Sequence, residues 1–321
     1  AYKMFVIINL RCMYVCNKCV YTGLPIRPER AGGVSFFVQM ISVTRRVPCA
    51  TPARTLPIAG KTRGGIILKE AKAMAYVNMY GVLATLENLC QIDDQAKAVL
   101  RELKKPVSIC FDVTNGPCCT FNFTQDGCKM SEGTYGCTCK MNFASPEKFN
   151  ALIDDSKPGV PVKGAVQVLS FLLGPFTKLT NRLTQLLMPS EADLKDRAFF
   201  EESTVLTFYT IAGAISALAN TDSVSKQSAL YTVDGDVSMG IKDVCYATIR
   251  VNNHTFRTIK EKAQSPRAVM EFATIDLANG LFNGTASTMA ELCAGHIYMA
   301  GMISMVDNIN RVLDRVAVYL G

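Results

Sequence analysis

The spacing of apolar positions changes from helical to strand-like along the middle of the chain. Between Met79 and Leu103, apolar residues mostly recur every three or four positions, which predicts an amphipathic helix, or two helices broken near Asp93-Asp94. Apolar and polar residues then alternate in three stretches: residues 107–113, 119–123 and 137–143. This alternation predicts an antiparallel meander with one apolar face, into which most of its cysteines point as small hydrophobic side chains.

A fourteen-residue phrase occurs twice in the chain. Residues 141–154 and 270–283 are identical at five aligned positions and similar in chemistry at three more. In each copy an aromatic residue ends an alternating stretch. Ser145 or Thr274 follows where a helix N-cap is expected, and an acidic side chain stands two positions later. The phrase therefore predicts a strand that turns into a capped helix, and its recurrence predicts two similar units.

Each unit is expected to end in a long helix. Residues 166–187 keep a helical spacing of apolar positions until Pro189, and residues 302–319 do the same along one face. The second unit is expected to contain four strands, near residues 237–241, 245–251, 254–259 and 267–272. Ser203–Thr221 carries no charge and is long enough to span a membrane. Its hydroxyl-bearing and small residues favour a buried helix that joins the two halves.

Positive charge is concentrated at the start of the chain. Residues 1–65 hold 10 Lys or Arg and a single acid, whereas the rest of the chain holds 24 basic and 26 acidic residues. The near-neutral remainder gives no sign of a phosphate-binding surface, so no nucleic-acid partner is expected. We interpret residues 1–73 as translated upstream sequence before a start at Met74, because Lys69-Glu70-Ala71 can be encoded by a bacterial ribosome-binding consensus. A genuine basic, disordered arm is the alternative.

Cysteine and histidine patterns give little support for catalysis or metal binding. Nine of the 13 cysteines lie outside the basic leader, an odd number without a secretory signal, so no disulfide framework is expected. The lone CxxC at residues 16–19 lacks the second half of a zinc site. Cys293 and His296 could form a thiol–base pair, but no carboxylate is evident to orient the imidazole. Adjacent acids such as Asp93-Asp94 are interpreted as solvated surface, and no enzyme is expected.

Three motifs follow one another in a definite order. They are the hairpin around Asn115-Gly116-Pro117, the strand-to-helix phrase from Phe143 and the segment Gly295–Gly301 before the last helix. In this order they resemble the sterol carrier protein 2 family of lipid-binding domains, in its bacterial two-unit type, over roughly residues 79–320. The resemblance implies an α+β fold of two similar units. Each unit would be a mainly antiparallel sheet of about five strands, covered by helices that enclose an apolar tunnel.

The resemblance also implies cytosolic, non-enzymatic binding or transfer of fatty acyl chains, acyl-CoA or sterol-like molecules. We expect units at residues 74–190 and 231–321, joined by a helical segment at 191–230. The tunnel is predicted to be lined by apolar residues: Phe171, Leu172, Phe176, Leu179, Met299, Met302, Met305 and Ile309. The alternative is a structural or dimerisation module whose own side chains fill the core, and an acyl-ester hydrolase comes third. No cofactor or metal is expected, and the partners are an apolar lipid and, transiently, a membrane.

Overall fold

Two five-stranded sheets and the helices that cover them alternate along the chain, so the prediction of an α+β fold is confirmed. The computed structural model describes residues 71–153, 162–164 and 166–320. The basic leader up to residue 70, with its CxxC motif, lies outside the described residues, and the interpretation of that leader stays a prediction. Residues 71–187 are called the first half and residues 197–320 the second half.

Each half begins with a helix, continues through its sheet and ends with a helix. The elements of the first half are α1 (71–92), α2 (Asp94–Arg101), β1 (Val107–Val113), β2 (Cys118–Thr124), β3 (Gly127–Glu132), β4 (Cys139–Phe143), α3 (Pro146–Ile153), β5 (Val162–Gly164) and α4 (166–187). Those of the second are α5 (Arg197–Thr221), α6 (Ser225–Leu230), β6 (Gly235–Ile241), β7 (Cys245–Asn252), β8 (Thr255–Ile259), β9 (Ala268–Phe272), α7 (Ile275–Phe282), α8 (Thr288–Cys293), β10 (Ile297–Gly301) and α9 (Ile303–Leu320).

Two of these helices change their winding along their length. In α1 a π-helical stretch at Val77–Val82 and a 3₁₀ turn at Leu83–Thr85 precede the α-helical Leu86–Ile92. In α4 a π-helical stretch at Leu172–Phe176 contains Pro175. Proline has no backbone N–H, so a local change of hydrogen bonding lets the helix continue past it.

Both sheets have the same strand order, β3-β2-β1-β4-β5 in the first half and β8-β7-β6-β9-β10 in the second. The first three strands of each half form an antiparallel meander, but β4 pairs in parallel with β1, and β9 with β6. The prediction that residues 137–143 continue the antiparallel meander is therefore wrong. Alternation could not reveal this, because side chains alternate between the faces in parallel and antiparallel pairs alike.

The repeated phrase folds into the predicted strand and capped helix in both halves. β4 and β9 each end on the aromatic residue of the phrase, and α3 and α7 begin three residues later. The Ser145 hydroxyl accepts a hydrogen bond from the backbone N–H of Lys148 at 3.4 Å, and the Thr274 hydroxyl accepts one from that of Leu277 at 3.2 Å. Each cap satisfies one of the backbone donors that the first helical turn leaves free.

The halves meet where α1 crosses α5. Gly213 of α5 lies so close to the backbone of α1 that a Cβ atom there would be 2.9 Å from the Gly81 Cα atom. Leu206 of α5 belongs to the first hydrophobic core, whereas Ile215 belongs to the second, so the helix is shared. Among the described helices, α5 is the one long and apolar enough to span a membrane, and 72% of its most apolar window is buried. Its uncharged stretch thus packs inside the protein, as the sequence indicated.

An ion pair also connects the halves. The Lys260 ammonium, just after β8, lies 2.7 Å from the Glu87 carboxylate and 2.7 Å from the Ala84 carbonyl oxygen, both on α1. Burial lowers the pKa of Lys260, and the Glu87 carboxylate opposes that effect. The buried Lys260 ammonium is therefore paired with the negative charge of the Glu87 carboxylate.

The cysteines of the first sheet have two different environments. Cys119 lies in the core, where burial raises the pKa of its thiol, as expected of a small hydrophobic residue. Cys110 alternates with core residues of β1, points to the opposite face and forms a disulfide with Cys137. The expectation of free, apolar cysteines is wrong for this pair. The sequence spacing of 27 residues gave no sign of it, because it depends on the chain folding back over the sheet.

Candidate apolar binding site

Of the four predicted positions of the second half, Met299 lies on β10, Met305 and Ile309 lie on α9, and Met302 lies between the two elements. Met302 is 39% exposed, whereas Met305 and Ile309 are each 1% exposed and belong to the second core. A step of four residues places the Met305 and Ile309 side chains on one face of the helix, and Met302 immediately precedes the first helical residue. Met299 of β10 is partly buried against the same core. The structure therefore arranges the four positions from the surface into the interior.

Methionines also form a row across the sheet of the second half. Met299, Met270 and Met239 occupy directly paired positions on β10, β9 and β6. Paired residues on adjacent strands point to the same face, so the three side chains are neighbours. Met239 and Met270 are each 3% exposed and share a core with Met305 of α9. Sequence reasoning missed Met239 and Met270, because their alignment depends on the parallel pairing of β6 with β9.

Two of the four predicted positions of the first half belong to a cluster of phenylalanines, and the other two lie in the same core. The rings of Phe171 and Phe176 are 6.2 Å apart, and they lie 5.1 Å and 6.0 Å from the ring of Phe123. Leu172 and Leu179, 9% and 0% exposed, belong to the same core. Further phenylalanines extend the ring contacts: Phe111, Phe121, Phe143 and Phe149. Large rings thus fill the interior of this half.

A buried aspartate anchors the closing helix of the second half. The Asp222 side chain is 4% exposed and lies 3.1 Å from the Arg315 guanidinium of α9. The Tyr319 hydroxyl donates to Asp222 at 3.0 Å, and Ser225 donates from its backbone and its hydroxyl at 2.8 Å. Burial alone raises the pKa of Asp222, but the hydrogen bonds from Arg315 and Ser225 outweigh burial and lower it. The carboxylate is therefore ionised and holds α9 in place.

The first half contains the same arrangement between Asp93 and Arg182. The Asp93 carboxylate, 2% exposed, caps α2 by accepting from the Ala96 backbone at 2.6 Å and lies 2.7 Å from the Arg182 guanidinium of α4. The interpretation of Asp93-Asp94 as solvated surface is therefore wrong for Asp93, whereas Asp94 is 93% exposed. Asp93 stands at the predicted break between two helices and turns inward there. Its partner lies 89 positions away, so local sequence could not show the pair.

A groove of about 360 Å³ lies outside the phenylalanine cluster. Its walls come from α2 and α4: Gln95, Ala96, Val99, Lys178, Leu179, Asn181, Arg182 and Gln185. Leu179 is thus the predicted position that borders it. Because no strand contributes to its walls, this groove is not the predicted space between sheet and helices.

The surroundings of His296 differ from expectation. A Glu291 carboxylate oxygen lies 2.7 Å from the His296 Nδ1 atom, so the statement that no carboxylate orients the imidazole is wrong. Cys293 is exposed, and its sulfur lies 3.9 Å from that of Met289. Within the described ranges, no group of three or more His, Cys, Asp or Glu side chains could hold a metal ion.

Comparisons with known proteins show partial similarity. No protein-family model matches the chain, and no curated protein matches its sequence. Sterol carrier protein 2 like 2 from Aedes aegypti has 16% identity and a TM-score of 0.27, over 34% of this chain and 95% of that one. A UbiJ-SCP2 ubiquinone synthesis protein has 15% identity and a TM-score of 0.26, over 34% of this chain and 92% of its own. Similarities this low carry no argument about family or function.

Proposed function

We propose that the second half binds an apolar, lipid-like ligand between its sheet and α9, without transforming it chemically. The observation that carries the proposal is the concentration of methionine on both sides of this interior. Met239, Met270 and Met299 lie on the sheet, Met305 lies on the covering helix, and Met302 immediately precedes that helix. Methionine is unbranched and flexible, so an interior lined by it can repack around a guest more readily than one built from rings.

The gradient of exposure along α9 supports access to that interior. Met302, just before the helix begins, is exposed, whereas Met305 in the first helical turn is buried. A chain-like apolar ligand could therefore enter beside Met302 and displace the side chains behind it. Fatty acyl chains, acyl-CoA and sterol-like molecules are the proposed ligand classes. A cytosolic location, transient membrane contact and the absence of catalysis are parts of the same proposal.

The alternative, a filled core with a structural role, is favoured for the first half. Seven phenylalanines contact one another there, and Phe171 and Phe176 are among them. Close-packed rings leave little freedom to admit a guest. Phe171, Leu172, Phe176 and Leu179 are thus proposed as the counterparts of the ligand-lining positions, occupied here by the protein itself.

Two corresponding methionines provide the test. Met141 and Met270 occupy the same place in the repeated phrase, and both are buried, at 6% and 3% exposure. Binding of a long-chain fluorescent fatty acid to the full chain would be measured for the wild type, Met270→Phe and Met141→Phe. Filling the second interior should weaken binding roughly tenfold or more, since overpacking a core costs about 1–3 kcal/mol. Met141→Phe should leave the affinity unchanged.

Extraction of the purified chain with organic solvent, followed by mass spectrometry, would identify a ligand that copurifies. Empty protein that also fails to bind the fluorescent fatty acid would overturn the proposal. Equal weakening by both substitutions would contradict its assignment to the second half. Ester hydrolysis would count as an activity of the chain only if Cys293→Ala and His296→Ala abolish it.

A further inference from the structure

Two buried cysteines of the first half lie on opposite sides of the contact between α1 and β3. Cys90 lies on α1 and is 2% exposed, and Cys128 lies on β3 and is 7% exposed. Both belong to the first core, and both thiols are free. The structure therefore shows this pair in its reduced form.

A hydrogen bond between α1 and β3 brings the two cysteines together. The Glu87 carboxylate of α1 accepts from the Met130 backbone N–H of β3 at 2.6 Å. Cys90 follows Glu87 by three positions, about one turn of the helix. Cys128 precedes Met130 by two positions, and both side chains face the first core. Each cysteine therefore lies one step along its element from the same contact, on the side where helix and strand meet.

The two thiols also affect each other's protonation. Burial raises the pKa of the Cys128 thiol well above its ordinary value, and hydrogen bonding to Cys90 and repulsion from Cys90 and Glu87 raise it further. The Lys260 ammonium, which comes from the second half and pairs with Glu87, acts in the opposite direction. A cation beside a thiol favours the thiolate, which is the form that reacts.

We propose that Cys90 and Cys128 are a redox-sensitive pair that closes to a disulfide in oxidising surroundings. This proposal goes beyond the proposed function and does not depend on it. The Cys128 thiolate attacks a small disulfide such as oxidised glutathione, which forms a mixed disulfide and releases one glutathione thiolate. Cys90 then loses its proton and attacks the Cys128 sulfur, which forms the Cys90–Cys128 bond and releases the second glutathione. Two protein thiols are oxidised, and one glutathione disulfide is reduced to two thiols.

Cys128 is the better placed of the two to react first. It is the more exposed, and it follows the exposed turn residues Gln125 and Asp126 at the start of β3. β3 is an edge strand of its sheet. Local opening at an edge costs less free energy than opening of the core, and it admits a small disulfide. Cys90, on the helix behind the strand, is then the resolving thiol.

The new bond fastens β3 to the helix that contacts the second half. Glu87 and the Ala84 carbonyl oxygen, both on α1, hold the Lys260 ammonium. A cross-link between α1 and β3 restricts the unfolded chain and so favours the folded state. Oxidation therefore stabilises the first half together with the surface on which Lys260 docks.

Incubation of the full chain with oxidised glutathione tests the pair. Peptide mapping of the wild type, alkylated during unfolding, should show Cys90 joined to Cys128. The thermal unfolding midpoint should rise by roughly 5 °C or more. Cys90→Ala and Cys128→Ala should each show neither the bond nor the rise. Cys119→Ala is the matched control, because Cys119 is a buried thiol of the same core, and it should respond to the oxidant as the wild type does.

Reversal is measured in the double variant Cys110→Ser, Cys137→Ser, which lacks the other disulfide. After oxidation, dithiothreitol should return its unfolding midpoint to the value before oxidation. The proposal is overturned if Cys90 and Cys128 of the oxidised wild type are recovered as free thiols, or if Cys128 is joined to a different cysteine. A Cys90–Cys128 bond that leaves the midpoint unchanged would overturn its stabilising role. The peptide map needs only the wild type, so it decides the matter even where a variant fails to fold.

Discussion

The two halves share a strand order and a buried aspartate–arginine pair, yet they fill their interiors with different side chains. Phenylalanine rings pack against one another in the first half, whereas methionines lie on both sides of the second. The shared features are those that hold sheet and helices together. The differing features are those that decide whether the interior is rigid or adaptable. The same arrangement of sheet and helices can therefore enclose a rigidly packed interior in one half and an adaptable interior in the other.

The outer faces of the two sheets differ as well. The Thr120 hydroxyl donates a hydrogen bond to the Gly133 carbonyl oxygen, in the loop after β3, at 2.8 Å. The Thr248 hydroxyl donates one to the Glu261 carbonyl oxygen, in the loop after β8, at 2.7 Å. Only the first half also has a disulfide on this face, formed by Cys110. Cys110 is paired with Thr120 in the strand register, and the residue paired with Thr248 at the corresponding place in the second half is Ser238. The first half is thus fixed on both faces of its sheet.

Removing the arginine of each buried pair should have the largest effect. Loss of one partner leaves a buried carboxylate uncompensated, so Arg315→Met should lower the free energy of unfolding by about 3 kcal/mol. Arg182→Met should cost more, because the Arg182 guanidinium also lies 3.4 Å from the Glu202 carboxylate. Burial and the nearby Asp93 raise the pKa of Glu202, so the two carboxylates already disfavour each other. Urea unfolding of both variants measures the difference, with the exposed Arg311→Met as control.

The effect of Arg315→Met should depend on pH in a defined direction. The pKa of Asp222 is lowered in the folded protein, so its contribution to stability is present above the unfolded value of about 3.9 and is lost as the pH falls through the folded value. The difference between wild type and variant should therefore be full at neutral pH. It should shrink as the pH falls from the folded pKa of Asp222 in the variant, which the loss of Arg315 raises, to the lower folded pKa in the wild type. A difference that grows on acidification would contradict this account.

Opening the Cys110–Cys137 disulfide should affect the first half selectively. Closing a loop of 27 residues stabilises a fold by about 3.5 kcal/mol in the chain-entropy model. Dithiothreitol should lower the unfolding midpoint of the wild type and leave the double variant Cys110→Ser, Cys137→Ser unchanged. Hydrogen exchange should accelerate in residues 107–143 more than in residues 235–272. Cys293→Ser, at an exposed free thiol, is the control, and equal acceleration in both segments would speak against a local role.

Local sequence patterns predicted most of the elements. The apolar spacing located the break at Asp93, seven of the ten described strands and the closing helices, and the repeated phrase predicted its two capped helices. The strands β3, β5 and β10 were not predicted. These features depend on side chains a few residues apart, which helical and strand periodicity report directly. The domain borders and the eight ligand-lining positions stay predictions.

Contacts between distant segments were the part that sequence could not supply. The parallel pairing of β4 with β1 and the inward turn of Asp93 to Arg182 both depend on how elements meet in space. The same reason hid the methionine row, since Met239 and Met270 become neighbours only through strand register. The type of a residue alone does not reveal which face of a sheet its side chain points to or which side chain it contacts. Burial and register therefore had to come from the structure.

The smallest expected change in stability gives the most direct test of whether the interior of the second half is more adaptable than that of the first. Phe123 contacts Phe121, Phe171 and Phe176, so Phe123→Leu should cost about 2 kcal/mol through lost ring contacts and a residual cavity. Met270→Leu conserves volume and should cost less than about 1 kcal/mol. Chemical unfolding measures both, with Met141→Leu as the matched methionine of the first half. If Met270→Leu cost as much as Phe123→Leu, the second interior would be as tightly specified as the first. Its methionines would then be packing residues, with no freedom to admit a ligand.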